Sequence, residues 1–335
     1  MLNDLFITRD VVGFLAHYLE CHSLDYPRYR EKLAHYASKQ HMSYEQWWGL
    51  LEELQTLSGV QALGLEVGRC VRVEHCGVLG YLFRTSRNVG EALSCFKRFQ
   101  GMLYAGSQAQ ITQVDSDTVS LIWEPDFGYS SQLSDELLLA AIVGIIREII
   151  HPSHLCLLQV DFTQALSDSN SKKYISFFEC KVKQRQPKLS LSFALNDLEK
   201  VIPHEDQTLH TILGKQAEAI LNSLPDSDLF LVELRDTLIR CLHEGVSDAA
   251  TVATQMHLSE RTLHRRLKSK GRIFREVLKD IRKSMAITYL SDDKLTLTEV
   301  ALLLGYSEQS AFSRAFRQWH GCSPLNYKQA QLAQS

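Results

Sequence analysis

The segments Asp248 to Lys268 and Thr296 to Trp319 carry one pattern twice, offset by 48 residues. In the first, Val252, Ala253 and Met256 make an apolar stripe and Leu258 follows in a turn. Ser259 is placed to cap a second helix with Leu263 and Leu267 on its inner face. In the second, Thr296 and Glu299 have the spacing of a capping box, and Val300, Ala301 and Leu304 repeat the stripe. Gly305 supplies the left-handed turn residue where the first copy has His257, and Ser307 repeats Ser259 as the expected cap. Phe312, Phe316 and Trp319 are expected to face inward. A turn of about three residues makes each helix pair cross steeply, with small Ala253 or Ala301 at the close approach. That is a helix-turn-helix, whose second helix is shaped for a nucleic-acid major groove.

The outer faces carry the chemistry. Glu260, Arg261, His264, Arg265 and Lys268 point away from the first apolar stripe, and Glu308, Gln309, Ser310, Ser313, Arg314 and Arg317 away from the second. One amphipathic helix pair with surface arginines is more often a solvated bundle. Two copies with matching alanine, turn and cap positions, in a basic region, point instead to DNA. Between them Phe274–Leu290 reads as a helix of about 26 Å at 1.5 Å per residue, a rod able to hold two reading heads on successive turns of one DNA face, roughly 34 Å apart. Arginine and glutamine suit guanine and adenine edges, so Arg261, His264, Arg265, Gln309, Ser313 and Arg314 are expected at base edges. Arg266, Lys268, Lys270, Arg272 and Arg317 are expected at phosphates, which fix register without reading sequence.

Net charge supports this division. The chain has a formal charge of -3, but from Leu229 onward it holds 16 Lys+Arg against 11 Asp+Glu, while the preceding part is acidic. The window Arg261 to Lys283 alone holds ten basic residues against two acidic ones. An acidic body joined to a basic tail suggests that the tail meets a polyanion.

The acidic part reads as mixed α/β. Helices are predicted over Arg9–Cys21, Pro27–Ser38, Ser43–Leu57, Val89–Tyr104, Leu133–Ile150 and Glu205–Asn222. Strands are predicted over Gly77–Thr85 and Leu155–Thr163, at Leu189 to Leu195 by alternation, and as a hairpin of Gln110–Val114 and Val119–Trp123 around Asp115-Ser116-Asp117. Gly64 to Gly68 reads as a turn and a bend. The fold class expected is an α/β (mixed α+β) N-terminal domain over residues 1–224, then an all-α domain over 229–335 with helix-turn-helix motifs at about 248–268 and 296–319. The breaker Ser-Leu-Pro-Asp-Ser-Asp at Ser223–Asp228 marks the boundary, with Leu229–His243 assignable to either side.

Other classes find little support. The eight cysteines are scattered, with no Cys-x-x-Cys, which suits reduced thiols rather than a disulfide framework. The amino terminus lacks the pattern of a signal peptide. The longest apolar run, Leu137 to Ile146, is ten residues, against roughly 20 for a bilayer span. A soluble, cytoplasmic protein without a membrane partner is expected. Cys70, His75 and Cys76, or His151 and His154, do not form a pair-plus-pair zinc site. There is no Gly-x-Ser-x-Gly elbow and no reactive-cysteine signature of a DNA-repair methyl acceptor, and Gly214-Lys215 lacks the rest of a phosphate loop. No catalytic, metal or cofactor constellation emerges, so no enzyme and no cofactor are expected.

Residues 240–330 resemble the DNA-binding domain of the AraC/XylS family of bacterial transcription regulators. The run from Glu299 through Gly305-Tyr-Ser-Glu-Gln-Ser-Ala-Phe-Ser-Arg to Cys322-Ser-Pro carries that resemblance, with Arg282, Ala286 and Leu290 fitting the linker-helix pattern. His257 departs from the usual turn glycine, and Gly271-Arg-Ile-Phe from the usual small-residue step. The front of the chain is similar to the branch with an arabinose-binding-type N-terminal domain, through Gly64-Leu-Glu-Val-Gly68, Gly77-Val-Leu-Gly-Tyr81, Gly90-Glu-Ala-Leu93 and Phe177-Phe-Glu-Cys180. The resemblance implies a homodimeric regulator, most often an activator working with RNA polymerase at a promoter. It also implies a small effector such as an amino acid or carboxylate. A cavity between the strands and the Leu133–Ile150 helix is the default ligand location, and Arg69, Tyr81, Arg84 and Tyr129 are residues able to grip an anion. The alternative is a constitutive DNA-binding protein whose N-terminal domain only dimerises.

Overall fold

A computed structural model describes residues 6–39, 41–106, 108–123, 131–166, 171–223, 226–290 and 295–332. By contacts the chain divides near Pro225 and Asp226 into two compact units.

The first unit opens with β1 (Phe6–Thr8), α1 (Val12–Cys21), α2 (Pro27–Ala37), β2 (His41–Ser43) and α3 (Tyr44–Ser58). β1 and β2 pair antiparallel, and Ser43 caps α3 in a full capping box with Gln46. Next come α4 (Leu63–Cys70), α5 (Gly77–Thr85), α6 (Val89–Phe99), β3 (Gln110–Gln113), β4 (Thr118–Trp123) and α7 (Gln132–Ile149). The unit closes with β5 (Leu157–Asp161), α8 (Ser171–Phe178), β6 (Lys181–Lys183), β7 (Leu189–Ala194) and α9 (Gln207–Ser223). Sheet order is β3-β4-β7-β5-β6, antiparallel except for the β5–β6 pair. The Asp115 side chain takes the Asp117 amide at 2.9 Å and so shapes the β3–β4 turn.

Two expectations fail in this unit. Gly77–Thr85 is helix α5, not a strand: its buried residues Leu79, Leu82 and Thr85 recur every three positions, and packing of that stripe overrides the β preference of Val, Tyr and Phe. Gly64–Gly68 is likewise helical, as the middle of α4. Both glycines are there for close approach to α7. A Cβ on Gly64 would lie 2.0 Å from the Leu133 carbonyl oxygen, and one on Gly68 would lie 2.6 Å from the Ala140 Cβ.

That contact also brings the Glu136 carboxyl to the first turn of α4. The N-cap, Ala62, has no side-chain acceptor to offer the free amides there. Glu136 is fully buried: its Oε1 accepts from the Tyr174 hydroxyl and from Gln132 Nε2 at 2.8 Å. Its Oε2 has no hydrogen-bond partner among the described residues, although the Gly64 and Leu65 amides lie near the carboxyl. Burial pushes its carboxyl upward from the usual carboxylate range, and these donors pull it partly back.

The second unit is all helix: α10 (Asp226–His243), α11 (Ala249–Gln255), α12 (Glu260–Ser269), α13 (Phe274–Leu290), α14 (Leu297–Leu303), α15 (Gln309–His320) and α16 (Pro324–Leu332). Its core takes Leu234, Leu238 and Leu242 from α10, Val252 and Ala253 from α11, and Leu263 and Leu267 from α12. Ile281, Ala286, Val300, Ala301, Phe312 and Phe316 complete it. The mixed α/β first part and helical second part are the fold class expected from the sequence.

The turns of the two helix-turn-helix motifs test the role of backbone conformation. His257 has φ +56° and Gly305 φ +68°. A side chain costs about 1–2 kcal/mol in that region, partly offset by the extra unfolded-state freedom of glycine. His257→Gly is therefore expected to raise stability by up to about 1 kcal/mol, read as a higher Tm. Gly305→Ala should lower it by about 1–3 kcal/mol, because its Cβ would also meet Leu242 Cδ2 at 3.0 Å. Gly64→Ala should cost at least about 1–3 kcal/mol as overpacking against backbone. A Tm unchanged by Gly64→Ala would show that α4 and α7 slide apart at no cost.

Candidate nucleic-acid interface

The first motif is fixed by short-range hydrogen bonds at each helix start. Asp248 Oδ1 accepts the Thr251 amide at 2.9 Å, and Ser259 Oγ accepts the Thr262 amide at 3.2 Å. With Leu263 and Leu267 fully buried, the opposite face of α12 is turned outward. Glu260, Arg261, His264, Arg265, Arg266 and Lys268 are all exposed. Arg261, Arg265 and Lys268 stand at i, i+4 and i+7, so like charges are neighbours on one stripe, and no ion pair engages any of them among the described residues.

The remaining basic residues of this motif are held differently. His264 Nε2 is 3.5 Å from Glu260, and its ring meets Phe274 edge-on at 6.4 Å. Arg266 lies over the Phe230 ring of α10 at 5.5 Å. Lys270 is half-buried at the end of α12. Arg272 is 3.8 Å from Asp280 and largely covered.

In the second motif Thr296 and Glu299 form the expected capping box: Glu299 accepts the Thr296 amide at 2.8 Å, and Thr296 Oγ1 accepts the Glu299 amide at 3.2 Å. These hydrogen bonds hold the Glu299 carboxyl below the usual carboxylate range. Phe312 and Phe316 are fully buried, whereas Trp319 is only half-buried.

The expected cap Ser307 is a correction. The N-cap of α15 is Glu308, with no side-chain cap hydrogen bond, and the helix starts at Gln309. The second turn is one residue longer than the first, so the buried pair Leu263 and Leu267 corresponds to Phe312 and Phe316 by an offset of 49, not 48. In that register Gln309 matches Glu260, Ser310 matches Arg261, Ser313 matches His264, Arg314 matches Arg265 and Arg317 matches Lys268. Ser310 thus occupies the exposed position that matches Arg261, to which the sequence pattern gave no role; counting from the aromatic stripe rather than the turn would have found it.

On α15, Gln309 Oε1 accepts from Thr298 Oγ1 at 2.9 Å, and Arg314 reaches Ser310 Oγ at 3.4 Å and Glu308 at 3.7 Å. Ser313 is half-buried and Arg317 exposed. The heads differ electrostatically: α12 offers a bare cationic stripe, α15 a hydroxyl- and amide-rich face with two arginines.

Residues considered for other chemistry are dispersed. Among the described residues no three His, Cys, Asp or Glu side chains are grouped to hold a metal ion. Cys76 is buried, which pushes its thiol up to about 12, and His151 and His154 are exposed. Tyr81 and Arg84 are exposed on α5, Arg69 lies over the Phe177 ring at 5.2 Å, and Tyr129 lies outside the described residues. A cavity of about 20 Å³ sits between α5, α6 and α7 rather than at the sheet, lined by Phe83, Phe96, Ile142 and other apolar side chains. That is room for about one water molecule. No helix is long and apolar enough to cross a membrane among the described residues.

Comparison with known proteins places this geometry. Residues 31–201 match the arabinose-binding N-terminal domain of AraC transcription regulators, and residues 252–330 match a helix-turn-helix domain. The ornithine utilization regulator of Pseudomonas aeruginosa is 29% identical over 277 residues, 82% of this chain and 81% of that protein. The regulator VirS of Mycobacterium tuberculosis is 27% identical over 78% of this chain and 77% of its own. The crystal structure of the regulator CdpR from Pseudomonas aeruginosa is similar over 95% of this chain and 97% of that one, at 23% identity and a TM-score of 0.45. The chain belongs to the AraC family of transcription regulators: it is a DNA-binding regulator, not an enzyme, with an arabinose-binding-type domain ahead of its helix-turn-helix region.

Proposed function

We propose that Arg261, His264 and Arg265 on α12 and Gln309, Ser313 and Arg314 on α15 read base edges, while Arg266, Lys268, Lys270, Arg272 and Arg317 meet phosphates. The observation that carries this is the stripe Arg261, Arg265 and Lys268, three exposed neighbouring cations with no ion pair among the described residues. Such a stripe repels itself in the free protein and is relieved by a polyanion. Arg266 and Arg272, already held by Phe230 and Asp280, supply charge at a fixed place rather than reaching for a base.

In the same reading, residues 1–224 form the effector-binding and dimerisation domain. Residues 229–335 form the DNA-binding domain, with reading motifs at about 248–268 and 296–319. A small metabolite, an amino acid or carboxylate, binds the first domain of a homodimer and raises the share of the DNA-competent arrangement, leading to promoter activation with RNA polymerase. The match of residues 31–201 to an arabinose-binding domain and the name of the ornithine utilization regulator support an effector of this size. A ligand acts as a switch only by binding one arrangement better than the other. The second reading is a constitutive DNA-binding protein whose first domain only dimerises.

Arg265→Ala is expected to cost about 1–3 kcal/mol of specific binding and to relax preference at one base position. Equal losses on specific and random DNA would remove Arg265 from base reading. Lys268→Ala should weaken all DNA alike and lower the salt slope by about 1; an unchanged slope would mean that Lys268 neutralises no phosphate. A thermal-shift screen of metabolites on the full chain decides between the two readings. An effector at 100 times its Kd stabilises its domain by about 2.7 kcal/mol. No shift across the panel, with promoter binding unaltered, selects the constitutive reading.

A further inference from the structure

The first unit gathers thiols and imidazoles where the ends of α1 and α4 pack together. Cys21 Sγ lies 3.1 Å from His17 Nε2, one helical turn earlier on α1. The other ring nitrogen of His17 is 3.9 Å from Glu20, and its ring sits 4.1 Å from that of His75. His75 accepts the Arg72 amide at 2.9 Å, and burial lowers its tendency to charge. Cys70, the last residue of α4, has its Sγ 3.8 Å from Nε2 of His22, the residue that follows Cys21. Burial first, and Cys21 second, push the Cys70 thiol up to about 11. Cys21 is exposed, whereas Cys70 is half-buried.

The division of roles follows from these surroundings. A thiolate, not a thiol, is the nucleophile. His17 is in place to take the Cys21 proton, with the Glu20 carboxylate facing the resulting imidazolium. Cys70 stays a thiol but lies next to Cys21, with His22 in place to take its proton. We propose that Cys21 and Cys70 form a redox-modification site, Cys21 attacking a hydroperoxide and Cys70 closing a disulfide.

In the first step the Cys21 sulfur bonds to one peroxide oxygen and the O–O bond breaks. Cys21 becomes a sulfenic acid, and the alcohol or water leaves with the proton held on His17. In the second step the Cys70 sulfur attacks the Cys21 sulfur, the S–O bond breaks, and hydroxide leaves as water with the Cys70 proton. The two thiols lose two electrons and the peroxide gains them. The disulfide ties the end of α1 to the end of α4, the helix whose Gly64 and Gly68 lie on α7.

The test oxidises the full chain with stoichiometric hydrogen peroxide, then alkylates it and maps its peptides by mass. The expected product is one peptide pair linked through Cys21 and Cys70, with six of the eight thiols free and the exposed Cys156 among them. C70S should stop at a Cys21 sulfenic acid that dimedone traps. H17N should slow alkylation of Cys21 about tenfold at neutral pH, with recovery as pH rises and the far-ultraviolet circular dichroism unchanged. A statistical mixture of disulfides, Cys156 oxidised as fast as Cys21, or H17N alkylated at the wild-type rate would each overturn the proposal.

Discussion

The DNA-binding unit depends on one guanidinium. From the middle of α13, Arg282 Nε donates to the Leu304 carbonyl oxygen at 2.8 Å, and Nη2 donates to the Gly305 carbonyl at 3.0 Å and to Ser247 Oγ at 3.2 Å. The plane of the group lies 4.6 Å from the Tyr306 ring centre. One side chain therefore holds the rod, the turn of the second motif and the residue just before the first motif's Asp248 cap. Burial lowers its pKa from the usual arginine value, and carbonyl dipoles and a ring face take the place of water around the charge. Gly305 is bound to this arrangement twice over: its φ of +68° favours glycine, and a Cβ there would sit 3.3 Å from the same Nη2.

The first unit is organised by a comparable replacement of water. Helix α4 begins on a residue with no side-chain acceptor, and the Glu136 carboxyl is brought close to its first amides from α7, with Oε2 buried and without a hydrogen-bond partner among the described residues. Only two glycines on the facing side of α4 allow the backbones close enough for that reach. Glu136 in turn receives the Tyr174 hydroxyl from α8, so α4, α7 and α8 meet at one buried carboxyl.

What could be read from the sequence was what is decided locally. The Thr296–Glu299 capping box, the Ser259 cap and the turn residues His257 and Gly305 depend on neighbours a few positions away, and the linker helix Phe274–Leu290 depends on its own periodicity. Hidden features were those set by distant partners. Gly77–Thr85 has strand-like composition, yet its helix is fixed by which side chains the core accepts. The glycines of α4 resemble breakers until α7 is placed against them. For the candidate interface, the outward residues were legible because the buried stripes opposite them were. The extra residue before Glu308 was not, because Ser307 has the chemistry of a cap and lies one position too early.

That extra residue makes the twin helices unequal instruments. Counted from their caps, Arg261 and His264 of α12 correspond to the hydroxyl residues Ser310 and Ser313 on α15, and only the Arg265–Arg314 and Lys268–Arg317 pairs agree in charge. Long-range attraction is concentrated on the first helix, whereas the second depends on short-range fit. On the proposed reading, α12 attracts a duplex from further away than α15 does, and ionic strength acts far more on the first contact than on the second.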